Sequence, residues 1–174
     1  MGIIGNNKLS IEVKIDNNLK DTNEISQISK KVNEENKSEF QNLENSSSSW
    51  EIKIPKINLK AKIRDGTTSE VLNKFVGHFD ETSKKNGNVG LAAHNRGYEV
   101  NYFEKIKLLE KGDKIYYLYD GVEKVYIVNS INIIQDTDWK WLGATKDNRI
   151  TLITCVEDKP KNRLCVQGIE QQIN

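Results

Sequence analysis

The stretch NRITLITCVEDKPKNRLCVQG, residues 148–168, predicts the local fold and raises the question of function. An apolar run leads to Cys155, a polar loop follows, and Arg163 opens a second apolar run. Apolar runs on both sides of a short polar loop are typical of two antiparallel strands. Symmetric pairing across that loop places Cys155 nearly opposite Arg163, with both side chains on one face of the sheet.

Composition excludes several classes of protein. The chain has 174 residues and a net charge of +1, which suits one domain, or one domain plus a tail, and argues against a general nucleic-acid binder. Two cysteines and two histidines, with no CxxC or HExxH motif, argue against a disulfide scaffold and against a zinc site. The sequence indicates no cofactor. It contains no apolar run of the roughly 18 residues that span a membrane, and its start lacks the pattern of a signal peptide.

Residues 1–49 differ in composition from the rest of the chain. Helical spacing of apolar residues is weak across residues 23–43, and the polar run QNLENSSSSW follows at residues 41–50. This pattern predicts a flexible or marginally helical segment. Two interpretations stay open: a solvated linker that positions the domain, or a helix that docks on it. The folded domain is expected at residues 50–174.

From Trp50 onward the pattern is typical of strands. WEIKIPKINLKAKI alternates apolar residues with lysines, and the phase changes at Pro55, which divides the run into two short strands. Asp120-Gly121 predicts a hairpin turn, and short helices are expected near residues 69–75 and 102–106. About eight short strands with few helices favour an all-β sandwich or a closed barrel over a parallel α/β sheet.

Three polar residues at strand ends are candidates for chemistry. A nucleophilic thiol needs a group that accepts and returns its proton, and donors for the oxyanion that develops. Cys155 supplies the thiol, His94 ends the run VGLAAH, and Arg163 offers fixed N–H donors. Taken singly, each has a plainer interpretation: a buried small apolar residue, a structural histidine and a surface charge. For His78, in GHFDE, a structural role is favoured.

The motifs together resemble those of the sortase family. TLITC with a downstream arginine that opens a strand resembles the sortase signature TLxTC…R. VGHFDETSKKNGNVGLAAHNRG is similar to the segment around the family's catalytic histidine, and FEKIKLLEKGDKIYYL to its F..L..L..GD.I stretch. The resemblance covers about residues 50–169, and the compact loops look most like class D or E.

The resemblance implies a fold and an activity. Sortases are cysteine transpeptidases of Gram-positive surfaces, built on a closed eight-stranded all-β barrel with short connecting helices. By matching position, Cys155 is the nucleophile, His94 the general acid/base and Arg163 the oxyanion group. The implied partners are an LPxTG-like sorting-signal peptide and an amine of a peptidoglycan precursor or a pilin. The implied location is the extracellular face of the membrane, with an N-terminal anchor expected outside this chain.

Further residues are expected to bind substrate. Thr154 can offer its backbone N–H or its hydroxyl to the site. Trp139 and Trp141 lie in the loop of residues 135–148, a candidate wall for an apolar substrate residue, although one tryptophan can equally plug the barrel end. Because Cys165 is expected to oppose Ile153, both cysteines are predicted to be free thiols.

Two rival functions stay open at the level of sequence. One is a cysteine hydrolase, in which water resolves the same thioester. The other is a non-catalytic β domain that binds peptide, with Cys155 buried. Ligation to an added amine separates the first from a transpeptidase, and labelling of the native thiol separates the second.

Overall fold

The structure, a computed structural model, describes residues 50–172. The expectation for residues 1–49 lies outside the described residues. Among the described residues, no helix is both long enough and apolar enough to cross a bilayer. The elements in chain order are β1 (Glu51–Ile54), the 3-10 turn η1 (Pro55–Ile57), β2 (Leu59–Asp65), helix α1 (Ser69–Leu72), β3 (Val76–His78), β4 (Asn88–Ala92), η2 (Ile106–Leu108), β5 (Lys114–Tyr119), β6 (Val122–Gln135), η3 (Trp139–Leu142), β7 (Arg149–Val156) and β8 (Lys159–Glu170).

The eight strands close into a barrel, which confirms the expected fold. Neighbouring strands follow the order β1-β2-β3-β4-β7-β8-β6-β5, and β5 pairs back onto β1. In the described part of the chain β2 pairs with β3, and β4 with β7, in parallel; the other neighbours are antiparallel. Closure leaves no long unpaired edge.

The phase change at Pro55 has a clear structural cause. Pro55 opens η1, and Asn58 then takes a left-handed conformation with φ of 52°, so the chain reverses between β1 and β2. Ile52 and Ile54 before the turn and Leu59 after it are all buried. The turn thus returns the apolar face of each strand to the barrel interior.

The predicted hairpin at Asp120-Gly121 is confirmed. Tyr119 pairs with Val122, and both turn residues have positive φ, at 54° and 76°, as a two-residue type I′ turn requires. The helix expected near residues 102–106 is instead a short 3-10 turn, η2. The nearly fully buried side chains of Phe103 and Ile106 anchor that segment, so packing fixes it where local propensity favours a helix.

The β7–β8 hairpin has the predicted register. Cys155 pairs with Arg163 and Ile153 pairs with Cys165. Both cysteines are free: Cys155 is exposed and Cys165 is fully buried. Alternation along β7 turns Thr154 towards the buried interior and leaves Cys155 at the surface, where the ladder shifts register before the turn.

Candidate active site

One cavity brings together the three candidate residues. Cys155, Arg163 and His94 all line a cavity of about 530 Å³ on the side of the barrel. Because Cys155 and Arg163 are direct cross-strand partners, the hairpin fixes their spacing. His94 reaches the same cavity from the loop after β4, whose last strand residue pairs with Ile153 of β7.

His94 lies two residues beyond the end of β4 and is held on two sides. Its carbonyl accepts a hydrogen bond from the backbone N–H of Phe103 at 3.0 Å. Its ring stacks on Tyr98 with centroids 3.5 Å apart and 6° between the planes. Burial lowers the pKa of His94 below its usual 6.5, because desolvation disfavours the imidazolium form. The imidazole is therefore mainly neutral at neutral pH.

The buried Nε2 atom of His94 has no hydrogen-bond partner among the described residues. Buried polar atoms usually have a partner, and an orphaned one is a candidate for binding or catalysis. In the tautomer that carries its proton on Nδ1, this nitrogen is able to take up a proton. This property matches the general acid/base role that the sequence predicts for His94.

Arg163 is half-buried and engaged with its own hairpin. Its Nη1 donates to the carbonyl oxygens of Pro160 at 2.7 Å and Asn162 at 2.8 Å. Its Nη2 lies 3.8 Å from a carboxylate oxygen of Asp136, at the end of the β6 segment. These contacts fix the plane of the guanidinium, and Arg163 lines the same cavity as Cys155.

A second cavity, of about 510 Å³, also borders Cys155. Asn95, Arg96, Thr154 and Cys155 line both cavities. The charged residues of the second cavity are two acidic and two basic ones, and its apolar residues come partly from β6, β7 and β8; the charged set is Glu104, Glu157, Arg96 and Lys107. The thiol is thus accessible from two spaces with different linings.

The two tryptophans of η3 have different environments. Trp139 is 65% exposed and lines the first cavity. Trp141 does not line it; its indole N–H donates to Asp138 at 3.1 Å, and its ring packs on a small apolar cluster that contains Ile153 and Cys165. The structure therefore brings Trp139, and not Trp141, to the site.

Thr154, the residue before Cys155, borders both cavities. The residue is buried, and its hydroxyl donates to the carbonyl of Ala93 at 2.7 Å. The hydroxyl is thus occupied, whereas the residue still lines both cavities. The backbone of Thr154 pairs with Leu164 in the β7–β8 ladder, so the structure shows neither the hydroxyl nor the backbone N–H as a free donor.

A buried polar network holds the η3 loop beside the cavity. The carbonyl of Trp141 accepts hydrogen bonds from Asn88 Nδ2 at 2.9 Å and from Gln167 Nε2 at 3.3 Å. Thr151 donates to Asn88 at 2.7 Å and receives a bond from Gln167 at 3.0 Å. Residues of β4, β7 and β8 therefore fix the loop through its main chain.

His78 occupies a separate, fully buried position. Its Nδ1 lies 3.1 Å from an oxygen of Asp65, and its Nε2 lies 3.1 Å from the Thr82 hydroxyl. Although Asp65, His78 and Asp80 place ligand-type atoms within 4.8 Å of one another, the Lys84 ammonium lies 2.6 Å from Asp65. A lysine charge already neutralises this group, and both nitrogens of His78 have partners, so the arrangement matches a structural role.

Comparison with known proteins identifies the family. The family model described as "Sortase domain" matches residues 52–171. The chain belongs to the sortase family. Sortase A of Bacillus anthracis is 32% identical over 114 residues, which is 64% of this chain and 54% of that protein. Sortase D of Bacillus subtilis is 31% identical over 107 residues, 60% of this chain and 52% of that protein. The chain spans about half the length of these curated sortases.

Solved sortase structures share the fold. The pilus-related sortase C of Group B Streptococcus is 29% identical with a TM-score of 0.68, covering 73% of this chain and 69% of that one. Sortase C-1 of Actinomyces oris is 30% identical with a TM-score of 0.67, covering 71% and 73%. The matches carry the names sortase A, C and D, and so extend beyond the class D or E that the loops suggested.

Two residues beside His94 and Cys155 in this sortase carry no prediction from the sequence. Tyr98 stacks on His94, and Asn95 donates to the carbonyl of Cys155 at 2.7 Å. Both belong to the polar stretch HNRGYE directly after β4. The available signal was their position: polar residues within four places of a candidate histidine in a loop are near enough to contact it.

Proposed function

We propose that this sortase is a cysteine transpeptidase and that residues 50–174 are its catalytic domain. The observation that carries the proposal is the exposed Cys155, directly paired with Arg163 across β7–β8, in the same cavity as His94. A reachable sulfur, a neutral imidazole and a guanidinium are the three groups that acyl transfer through a thioester requires.

The first step is attack on a peptide bond. Cys155 Sγ forms a bond to the carbonyl carbon of the threonine in an LPxTG-like sorting signal. The proton of the thiol passes to His94, and the carbonyl oxygen gains negative charge that Arg163 stabilises. When the C–N bond breaks, His94 returns the proton to the leaving amine. The products are a thioester on Cys155 and the released carboxyl-terminal part of the signal.

The first cavity is the proposed site for the sorting signal. Its lining includes the apolar side chains of Ile134, Ile153 and Leu142, and the exposed Trp139 lies at its edge. An extended peptide with an apolar leucine and a proline can bury those residues against such a surface. Thr154 lies next to the nucleophile and forms part of the lining beside the proposed peptide.

The second step transfers the acyl group to an amine. The amine nitrogen attacks the thioester carbonyl carbon, and His94 accepts a proton from the amine. The C–S bond then breaks, and His94 returns the proton to Cys155 Sγ. We propose an amine of a peptidoglycan precursor or of a pilin as the acceptor. The second cavity, which also borders Cys155, is the proposed path by which this amine reaches the thioester.

The proposed location is the extracellular face of the membrane of a Gram-positive bacterium. Sortases typically act there on proteins that carry a sorting signal. Family membership supports this location, and the peptidoglycan or pilin acceptor is found on the same side of the membrane. Secretion of the chain in a Gram-positive host, followed by surface proteolysis of intact cells, tests the location.

The test is a trapped acyl-enzyme. The protein is mixed with a small panel of LPxTG-like peptides, the reaction is quenched in acid, and the intact mass of the protein is measured by mass spectrometry. A mass increase equal to the peptide up to threonine is expected for the wild type and for Cys165→Ala, and none for Cys155→Ala. No adduct with any peptide of the panel, despite a reactive Cys155 thiol, contradicts the proposal.

A second measurement defines the acceptor. A peptide amine that mimics a cell-wall stem peptide, or a lysine-containing pilin peptide, is added to the same reaction. Ligated product is expected, in competition with hydrolysed product. Hydrolysed product alone, at every amine concentration, supports a cysteine hydrolase instead. An unreactive Cys155 in the native protein supports a peptide-binding domain.

A further inference from the structure

The hydrogen bonds between β4 and β7 continue beyond the end of the strand ladder. The last parallel pair is Ala92 with Ile153. After it, the Thr154 hydroxyl donates to the carbonyl of Ala93 at 2.7 Å, and Asn95 Nδ2 donates to the carbonyl of Cys155 at 2.7 Å. Side chains thus replace the main-chain bonds where β4 turns away.

These two bonds lie on either side of His94. Ala93 and Asn95, its chain neighbours, are each bonded to one of the residues Thr154 and Cys155. Two hydrogen bonds therefore connect the segment that carries the imidazole to the segment that carries the thiol. One lies directly before His94 in the chain and the other directly after it. Among the described residues, no other hydrogen bond joins the loop after β4, which carries His94, to the main chain of Cys155.

The backbone at Cys155 needs such a bond. The β4–β7 ladder ends before Cys155, and the β7–β8 ladder shifts register directly after it. A carbonyl at that point is free to rotate unless a donor holds it, and its rotation moves the attached side chain. A further contact, between Arg96 and Glu157 at 2.6 Å, joins the same two loops, but both side chains are about half exposed and water screens the pair.

We propose that Asn95 is a positioning residue whose amide holds the main chain of Cys155 in register with His94. The inference rests on the proposed function, because it concerns the geometry of the same thiol and imidazole. Asn95 acts through Cys155 and not on the substrate. Its loss lowers the rate of the chemical step more than it weakens substrate binding, since small misplacement of reacting groups is costly.

The experiment is a double-mutant cycle on the reactivity of Cys155. Alkylation by iodoacetamide is followed in the wild type, Asn95→Ala, His94→Ala and the double variant, at neutral pH and with no peptide present. Asn95→Asp keeps the side-chain volume but removes the amide donor. Asn86→Ala, a remote exposed asparagine bonded to Lys124, is the matched control. Melting temperatures of all variants are recorded.

Asn95→Ala and Asn95→Asp are each expected to slow alkylation about tenfold, whereas Asn86→Ala leaves the rate unchanged. In the His94→Ala background, Asn95→Ala is expected to add little, because its effect passes through the thiol–imidazole geometry. A purely structural role gives additive effects instead. With a sorting-signal peptide, kcat is expected to fall by a similar factor while KM stays within about twofold.

The outcomes separate the inference from the proposed function. If His94→Ala leaves alkylation unchanged, the thiol and imidazole are not coupled, and both fail. If His94→Ala slows alkylation but Asn95→Ala and Asn95→Asp do not, only the inference fails. Additive effects of the two substitutions, or an effect confined to KM, also overturn it.

Discussion

The ring of Tyr98 lies parallel to the imidazole of His94, with their centroids 3.5 Å apart and their planes 6° apart. Tyr98 is held in place by its neighbour Asn101, which accepts from the Tyr98 backbone N–H at 3.3 Å and donates to its carbonyl at 2.7 Å. The tyrosine covers one face of the imidazole and excludes water from it. We therefore expect Tyr98 to contribute to the burial that lowers the pKa of His94.

Tyr98→Ala is expected to raise the pKa of His94 towards its usual 6.5. Burial lowers this pKa by disfavouring the charged form, so hydration of the exposed face restores the imidazolium. The measurement is an NMR titration of the ring protons, which is simple because the chain has two histidines. His94→Ala assigns the signal, and Tyr98→Phe is expected to keep the low value. An unchanged midpoint in Tyr98→Ala means that another group buries the imidazole.

Arg163→Lys is expected to lower kcat/KM for a sorting-signal peptide about a hundredfold, the scale of losing one oxyanion donor. A lysine ammonium cannot reproduce the planar fork that bonds its hairpin and faces the site at the same time. Arg64→Lys, which changes a remote arginine over the Phe75 ring, is the matched control and should keep its activity. Wild-type rates in Arg163→Lys remove the guanidinium from the mechanism.

The two thiols are expected to differ sharply in reactivity. Cys155 is exposed, whereas Cys165 is fully buried and burial raises its pKa to about 12. An aromatic disulfide reagent should therefore titrate one thiol in the native protein and two after denaturation, without added reductant. Cys155→Ala should abolish the native reaction. Two fast thiols in the native state contradict the packing around Cys165, and none in the denatured state means that the cysteines are joined.

Substitution of Trp139 is expected to change KM, whereas substitution of Trp141 is expected to change the free energy of unfolding. Trp139→Ala should raise KM several-fold and leave the melting temperature unchanged, since the ring is 65% exposed at the edge of the cavity. Trp141→Ala should lower the free energy of unfolding by about 2 kcal/mol, because its ring packs on Ile153 and Cys165. Urea unfolding and steady-state kinetics on both variants test the pair. The reverse assignment contradicts the described arrangement of η3.

Gly77→Ala is expected to lower the free energy of unfolding by about 2 kcal/mol, the scale of overpacking in a tight interior. A Cβ at this position of β3 meets the Gly66 carbonyl oxygen at 2.5 Å and a methyl carbon of Leu72 at 2.7 Å. Gly143→Ala is the comparison, since its new Cβ meets nothing nearer than the Lys140 oxygen at 3.2 Å. Urea unfolding should show the larger loss at Gly77, and equal losses contradict the close packing there.

Antiparallel features of the fold were predictable from the sequence. The pairing of Cys155 with Arg163 follows from two-residue alternation across a short turn, and the hairpin at Asp120-Gly121 follows from turn chemistry. The parallel pairing of β4 with β7 was not predictable in this way. Those strands are separated by more than fifty residues in the sequence. Local periodicity predicts that each is a strand but does not indicate which distant strand it pairs with.

Within the site, strand residues were predictable and loop contacts were not. His94 and Cys155 stand near strand ends, as the sequence predicts, whereas Arg163 was predicted to open its strand and lies within β8, which begins at Lys159. The contacts of Asn95 and Tyr98 depend on how an irregular loop folds back. The difference between Trp139 and Trp141 likewise depends on a single 3-10 turn, whose direction the sequence does not record.

The hydrogen bonds that hold the η3 loop through the carbonyl of Trp141 affect which side chains of the loop can be substituted. Asn88 and Gln167 hold a peptide group, which every amino acid possesses, so the loop keeps its course when outward-facing side chains such as Trp139 are exchanged. Under the proposed function, peptide preference and barrel integrity are encoded by separate sets of residues. A library randomised at the outward positions of this loop explores new sorting motifs while its members still fold.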